Sequence, residues 1–151
     1  MENLLIRTLS AFLDVSYRSL DQTIVFRWVC PFLSEAEFRV SYQALLDTAV
    51  QHNCAHWLLD LRRRFVNSRE QDHWVLHEFY PQVEAAFPTA GLVYAAYLVS
   101  PAALAQYANV LLPALNNNSD ACCRAAAFID EGPANSWLTK QRFTKGALVE
   151  N

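Results

Sequence analysis

Apolar and polar positions change their period several times along the chain, and each change marks a predicted element. Over 12–30 they alternate: Leu13, Val15 and Tyr17 are set against Asp14, Ser16 and Arg18, then Ile24, Phe26, Trp28 and Cys30 against Val25, Arg27 and Val29. Alternation belongs to strands, whose successive side chains point to opposite faces, so two strands are predicted, joined antiparallel near Leu20, Asp21 and Gln22. The first is polar at every second position, as an edge or half-exposed strand is; the second is apolar on nearly both faces. After Pro31 the spacing becomes helical. Ser34 and Glu37 form a capping box, Phe38, Tyr42, Leu45, Leu46 and Ala49 share one face, and the helix is expected to end near His52 and Asn53.

The stretch 56–64, His-Trp-Leu-Leu-Asp-Leu-Arg-Arg-Arg, reads as the central strand. A short apolar run that ends in charge fits a strand buried on both faces, with Asp60 and the three arginines emerging at its end. A second capping box follows, either Asn67 with Glu70 or Ser68 with Gln71, and a helix from about Arg69. Leu76, Phe79, Tyr80, Val83 and Phe87 make its stripe, with a kink or break expected at Pro81. At 100° per residue Trp74 projects away from that stripe. A buried strand is predicted over 91–99, then a helix that opens at Ser100 and Pro101 and continues through Leu104, Tyr107, Ala108, Leu111 and Leu112. Pro113 and the polar run 116–120 break this pattern into a loop. A last strand over 123–129 and a last helix from Asp130 through Trp137 and Leu138 complete the chain, and residues after Gln141 have little to bury and are expected to fray.

The string β-β-α-β-α-β-α-β-α predicts an α/β fold, a mostly parallel sheet of about five strands with an antiparallel edge strand. It forms one domain over 1–151 with an ordered core over about 12–140. The order of elements, the Leu58-Leu59-Asp60-Leu61 strand end, Asn67-Ser68 at the next helix start, and Phe128-Ile129-Asp130 followed by Trp137-Leu138 resemble the SpoIIAA-like (STAS) fold of small bacterial proteins. The resemblance implies a regulatory or ligand-sensing role exercised through protein contacts, without a common enzymatic activity. In anti-sigma-factor antagonists of that family, a phosphorylatable serine opens the helix after the central strand in a D-S-S-G-like motif. Ser68 holds the matching place, but Asn67 precedes it and Arg69 and Glu70 follow it. We read Ser68 as a structural cap, alone or with Asn67, and not as a phosphorylation switch.

Composition narrows the function classes. The chain is 53% hydrophobic and 18% charged, which argues against disorder and leaves apolar surface for a partner. Its formal net charge of -3 gives no overall attraction for nucleic acid, so neither DNA nor RNA is an expected partner. The N-terminus lacks a signal-peptide pattern, and the longest apolar run, 92–99, is less than half of the roughly 20 residues that a membrane helix needs. Cys30, Cys54, Cys122 and Cys123 show no C-x-x-C or zinc-ribbon spacing. These features suggest a protein of the reducing cytoplasm with no integral membrane association.

Candidate chemistry is sparse. His73 and His77 stand one helical turn apart beside Glu78, but no third metal ligand is evident, and we read them as flanking a buried stripe. His52, Cys54 and His56 cluster at a helix-to-strand junction and are read in the same way. Cys122 and Cys123 fit packing in a strand better than a reactive thiol. No nucleophile with a positioned base can be read, so no enzyme activity, metal or cofactor is expected. Loops after parallel strands gather at one edge of a sheet, where helix amides converge. Ligand or partner contacts are therefore expected at Asp60, Arg62, Arg63, Arg64 and Ser68, with Ser100 and Asp130 nearby. The first expectation is a regulatory domain binding a protein partner or itself, with outward-facing Trp74 as a homodimer interface. The alternative is a binder of a small anionic or lipid-like ligand at the same edge.

Overall fold

The computed structural model describes residues 3–10, 12–65, 67–87, 92–117 and 123–150, with side chains described within 12–142. Cys122, Gly91 and most of the loop after Asn117 lie outside the described residues. Six strands form one sheet in sequential order: β1 (Asn3–Ser10), β2 (Leu13–Arg18), β3 (Thr23–Trp28), β4 (His56–Asp60), β5 (Val93–Leu98) and β6 (Cys123–Phe128). The pairs β1/β2 and β2/β3 are antiparallel, and β3 through β6 run parallel. The antiparallel β2/β3 pair and the parallel remainder are as expected, but β2 is not the edge. That place belongs to β1, which the alternation rule does not reveal. Its pairing with β2 carries two register shifts, and each bulge breaks the period of two.

Sequential order places the three crossovers on one face, because connections of one hand between neighbouring parallel strands all pass the same side. Helix α1 (Glu35–Gln51) joins β3 to β4, its face of Phe38, Tyr42, Leu45, Leu46 and Ala49 buried as expected. The β4–β5 crossover comprises α2 (Arg69–Trp74), a π-helical segment Val75–Phe79 and α3 (Tyr80–Ala86); the β5–β6 crossover comprises α4 (Pro101–Gln106), a π-helical segment Tyr107–Leu111 and α5 (Leu112–Asn116). These pack on Ile24, Phe26, Trp57, Leu59, Ala95 and Tyr97. The long α6 (Glu131–Glu150) covers the opposite face, setting Ala134, Trp137 and Leu138 on Val25, Leu58, Tyr94 and Leu98. Its assigned range runs past Gln141 to Glu150.

The two interior prolines neither end nor sharply break their helices. Pro81 and Pro113 each follow a π-helical segment closed by a bond to the fifth preceding carbonyl, from Tyr80 N–H to Val75 and from Leu112 N–H to Tyr107. A proline ring collides with the carbonyl four residues back in a regular helix, and a widened turn relieves that clash. The helix therefore passes through Pro113 to Asn116. The extra residue in each wide turn also shifts the faces, so Ala108 is exposed while Tyr107 and Leu111 are buried.

The same shift corrects the reading of Trp74. It does not project outward: only 8% of it is exposed, and it packs against Phe38, Tyr42 and Phe79 at 5.9–6.1 Å between ring centres, with the Arg39 guanidinium 5.6 Å from its own ring. A homodimer interface built on an outward Trp74 has no basis in this placement.

Candidate functional site

Strand pairing builds a charged row across the C-terminal edge of the parallel strands. Asp14 on β2 is paired with Arg27 on β3, and Arg27 with Asp60 on β4, all on the α6 side of the sheet. Arg27 donates to Asp60 Oδ2 at 2.7 Å and grips Glu131, in the first turn of α6, at 3.1–3.2 Å. Arg62 folds back on Asp60: its Nε and Nη2 donate to the two carboxylate oxygens at 3.0 and 2.9 Å, and its backbone N–H adds a bond at 3.2 Å. From β2, Arg18 donates to Glu131 at 2.9 Å and to Asn135 at 3.1 Å. Three guanidiniums thus surround two carboxylates, tying β2, β3 and the β4 loop to the start of α6.

This arrangement fixes the protonation of both acids. Burial by itself raises the Asp60 carboxyl, but the hydrogen bonds from Arg62 and Arg27 outweigh it and hold the group below the usual carboxylate range. The bond from Arg27 lowers Glu131 against the opposing effect of burial, with help from Arg18. Both Asp60 oxygens are occupied. A carboxylate held ionised and saturated with donors is a counter-ion, poorly placed to carry protons at neutral pH.

Beside the network lies a pocket of about 390 Å³ lined by Asp14, Arg27, Trp28, Asp60, Arg62 and Arg63, with Val29 completing it. Of the residues expected at this edge, Asp60, Arg62 and Arg63 meet here, and the charge of Asp130 acts on Arg62. Arg63 is exposed and has no hydrogen bond or ion pair among the described residues. Arg64 turns into the interior. Ser68 and Ser100 stand at helix starts and do not line the pocket. Ser68 is the cap of α2, accepting from Gln71 N–H at 3.1 Å while the Gln71 side chain accepts from Ser68 N–H at 3.0 Å. Of the two capping boxes weighed, this is the one that forms. Asn67 is buried, bonding Arg64 and Asp72. Ser100 has cap geometry but no side-chain bond. Replacing Ser68 with alanine should cost about 0.5–2 kcal/mol in urea unfolding, and Ser68→Asp should be nearly neutral; an alanine variant as stable as the native chain would discard the capping role.

Outside the pocket, the loops after β3 and β4 present two aromatic rings to solvent. Phe32 is 75% and Phe65 57% exposed, and they lie 4.4 Å apart between ring centres. A bond from Phe65 N–H to Pro31 O at 3.3 Å joins the two loops. Sequence reasoning missed this pair, along with Arg18, Arg27 and Glu131. Arg27, a charge inside an otherwise apolar strand, was the available signal.

The opposite edge holds a second pocket, of about 500 Å³, with Tyr17, Gln22, His52, Asn53, Cys54 and His56 among its lining residues. The His52 ring stacks on Tyr17 at 5.0 Å, and Cys54 Sγ donates to Gln22 O at 3.2 Å. Burial pushes the Cys54 thiol up, away from a reactive thiolate. The rings of His73 and His77 lie 4.3 Å apart. Among the described residues no group of three His, Cys, Asp or Glu side chains is placed to hold a metal ion, and no helix is long and apolar enough to cross a membrane.

Compared with known protein families, with curated proteins and with solved structures, the chain gives no match.

Proposed function

We propose that the chain is a non-enzymatic regulatory or protein-interaction domain of the STAS-like kind, and that its contact surface is the C-terminal edge of the sheet. The exposed Phe32–Phe65 pair carries this reading. Two aromatic rings held together in water by a fixed loop geometry gain by being covered, and aromatic side chains dominate the energetics of protein contacts. Unpaired Arg63 supplies a charge beside them for orientation. Asp60, one of the carboxylates at this edge, is engaged in holding the loops in place. From β2 onward the element order follows the string on which the STAS-like resemblance rests. Two rings cover much less than the roughly 1,200–2,000 Å² of a stable protein interface, so the partner must extend beyond them.

The alternative, a small anionic ligand, is favoured by the three arginines that line the 390 Å³ pocket. Arg27 and Arg62 are already neutralised by Asp60 and Glu131, which leaves Arg63 as the unengaged cation. The contact reading is tested with the double variant Phe32→Ser and Phe65→Ser. Its stability should stay within about 0.5 kcal/mol of native, as surface changes do, while the partner that co-purifies with the native chain from its own cells is lost. A partner retained equally by both chains would move the contact elsewhere.

A further inference from the structure

The loop after β4 sends Arg64 beneath α1, where only 8% of it remains exposed. Its guanidinium lies 5.2 Å from the centre of the Phe38 ring and donates through Nη1 to Asn67 Oδ1 at 3.0 Å. Among the described residues Arg64 forms no ion pair, and its Nε–H meets no acceptor. Arginine stays charged in proteins, and a buried cation without a direct counter-charge is costly. The acid of this cluster, Asp72, is reached only through Asn67, whose Nδ2 donates to Asp72 Oδ1 at 3.1 Å.

A second donor is stranded nearby. Tyr42 is fully buried, with its ring 5.0 Å from Phe38, and its hydroxyl also has no partner among the described residues. The charge of Arg64 acts on this hydroxyl and on that of Tyr107. Two buried donors, one cationic and one neutral, thus lie beside the same phenylalanine, and neither meets an acceptor among the described residues. Buried donors demand acceptors, and the charge of Arg64 selects a negative one.

We propose that Arg64 Nε and the Tyr42 hydroxyl form an internal site for one small anion, a halide or the carboxylate of a small organic acid. Occupancy completes the hydrogen bonding of Arg64 and fastens the loop that carries Arg63 and Phe65. The site stands apart from the surface contact proposed above, and either can fail alone. Asp72 opposes a second negative charge, so binding is coupled to its protonation. The groups facing the cluster are Arg64, Asn67 and Asp72 with Tyr42 from α1, Tyr107, and Gln106, which donates to Asn67 O; beyond Gln71 lies Glu35. Burial already raises the Asp72 carboxyl, against the lowering effect of the bond from Asn67 and of the Gln106 amide. The anion should therefore bind more tightly as pH falls, and Asp72→Asn should remove that dependence.

The test is the ³⁵Cl resonance of chloride solutions of the full chain. The native protein should broaden it, and Tyr42→Phe, which keeps the ring, should weaken chloride binding by about tenfold or more, the worth of a hydrogen bond to a charged group. Arg64→Gln should abolish it. Formate that displaces chloride at lower concentration assigns a carboxylate site, and formate that does not displace it assigns a halide site. Bromide-soaked crystals should show anomalous density within hydrogen-bonding distance of both donors. Broadening unchanged in the folded Tyr42→Phe protein, no broadening by the native chain, or only water between the two donors after a bromide soak would each overturn the proposal.

Discussion

Replacing Asp60 with alanine is expected to destabilise the fold by about 1.5–3 kcal/mol, the range for losing hydrogen bonds to a charged group whose arginine partners still reach water. The Asp60 side chain is only 10% exposed and is gripped by Arg27 and Arg62 at 2.7–3.0 Å. Without it Arg27 keeps Glu131 as a partner, whereas Arg62 keeps only a distant contact at 3.8 Å. The same pairing sets a pH dependence. The Asp60 and Glu131 carboxyls are held below their unfolded values, so their contribution is present above the unfolded carboxylate range and is lost as pH falls through the folded one. Native stability should therefore drop on the acid side below about pH 4, the ordinary range for these groups, and Asp60→Ala should flatten that drop. Urea unfolding as a function of pH measures both effects. A variant within 1 kcal/mol of native at pH 7, with an unchanged acid limb, would show that the network holds nothing together.

A second large loss is expected where α6 covers the sheet. Leu58 is completely buried on the α6 side of the central strand, and Leu138 meets the same cluster from the helix. Leu58→Ala should cost about 2–5 kcal/mol, combining lost burial with the cavity left behind. Leu138→Ala should cost an amount in the same range. Because the two side chains belong to one cluster, the double variant should lose less than the sum of the single losses. Strict additivity in a double-mutant cycle, or a loss below 1 kcal/mol for Leu58→Ala, would mean that α6 does not rest on this face.

Much of the architecture follows from interactions that close within a few residues, and those were legible in the chain. The alternation over β2 and β3 reflects side chains that point to opposite faces, and it located both strands and their antiparallel turn. The Ser34/Glu37 box is a local exchange of hydrogen bonds and marked the start of α1. The apolar run Trp57, Leu58 and Leu59 announced a strand covered on both sides, and Asp60 with the arginines after it announced the sheet edge where the candidate site lies.

Other features are decided by which distant segments meet. Strand β1 is held by pairing with β2, and its bulges hide it from any periodic rule. A proline in a helix stops it, kinks it or widens a turn; the fold has the wide turn before both Pro81 and Pro113, and Trp74, just before the first of them, faces inward. The arginine run reads as one charged cluster, yet the fold divides it three ways. Arg62 is clasped by Asp60, Arg63 is left in water, and Arg64 is buried under α1. Arg27 and Glu131 join Asp60 only because strand register and the α6 layer carry them across long stretches of chain. Caps and periods depend on neighbours in sequence, whereas a charge's partner and a ring's exposure depend on neighbours in space, which only the folded layers bring together.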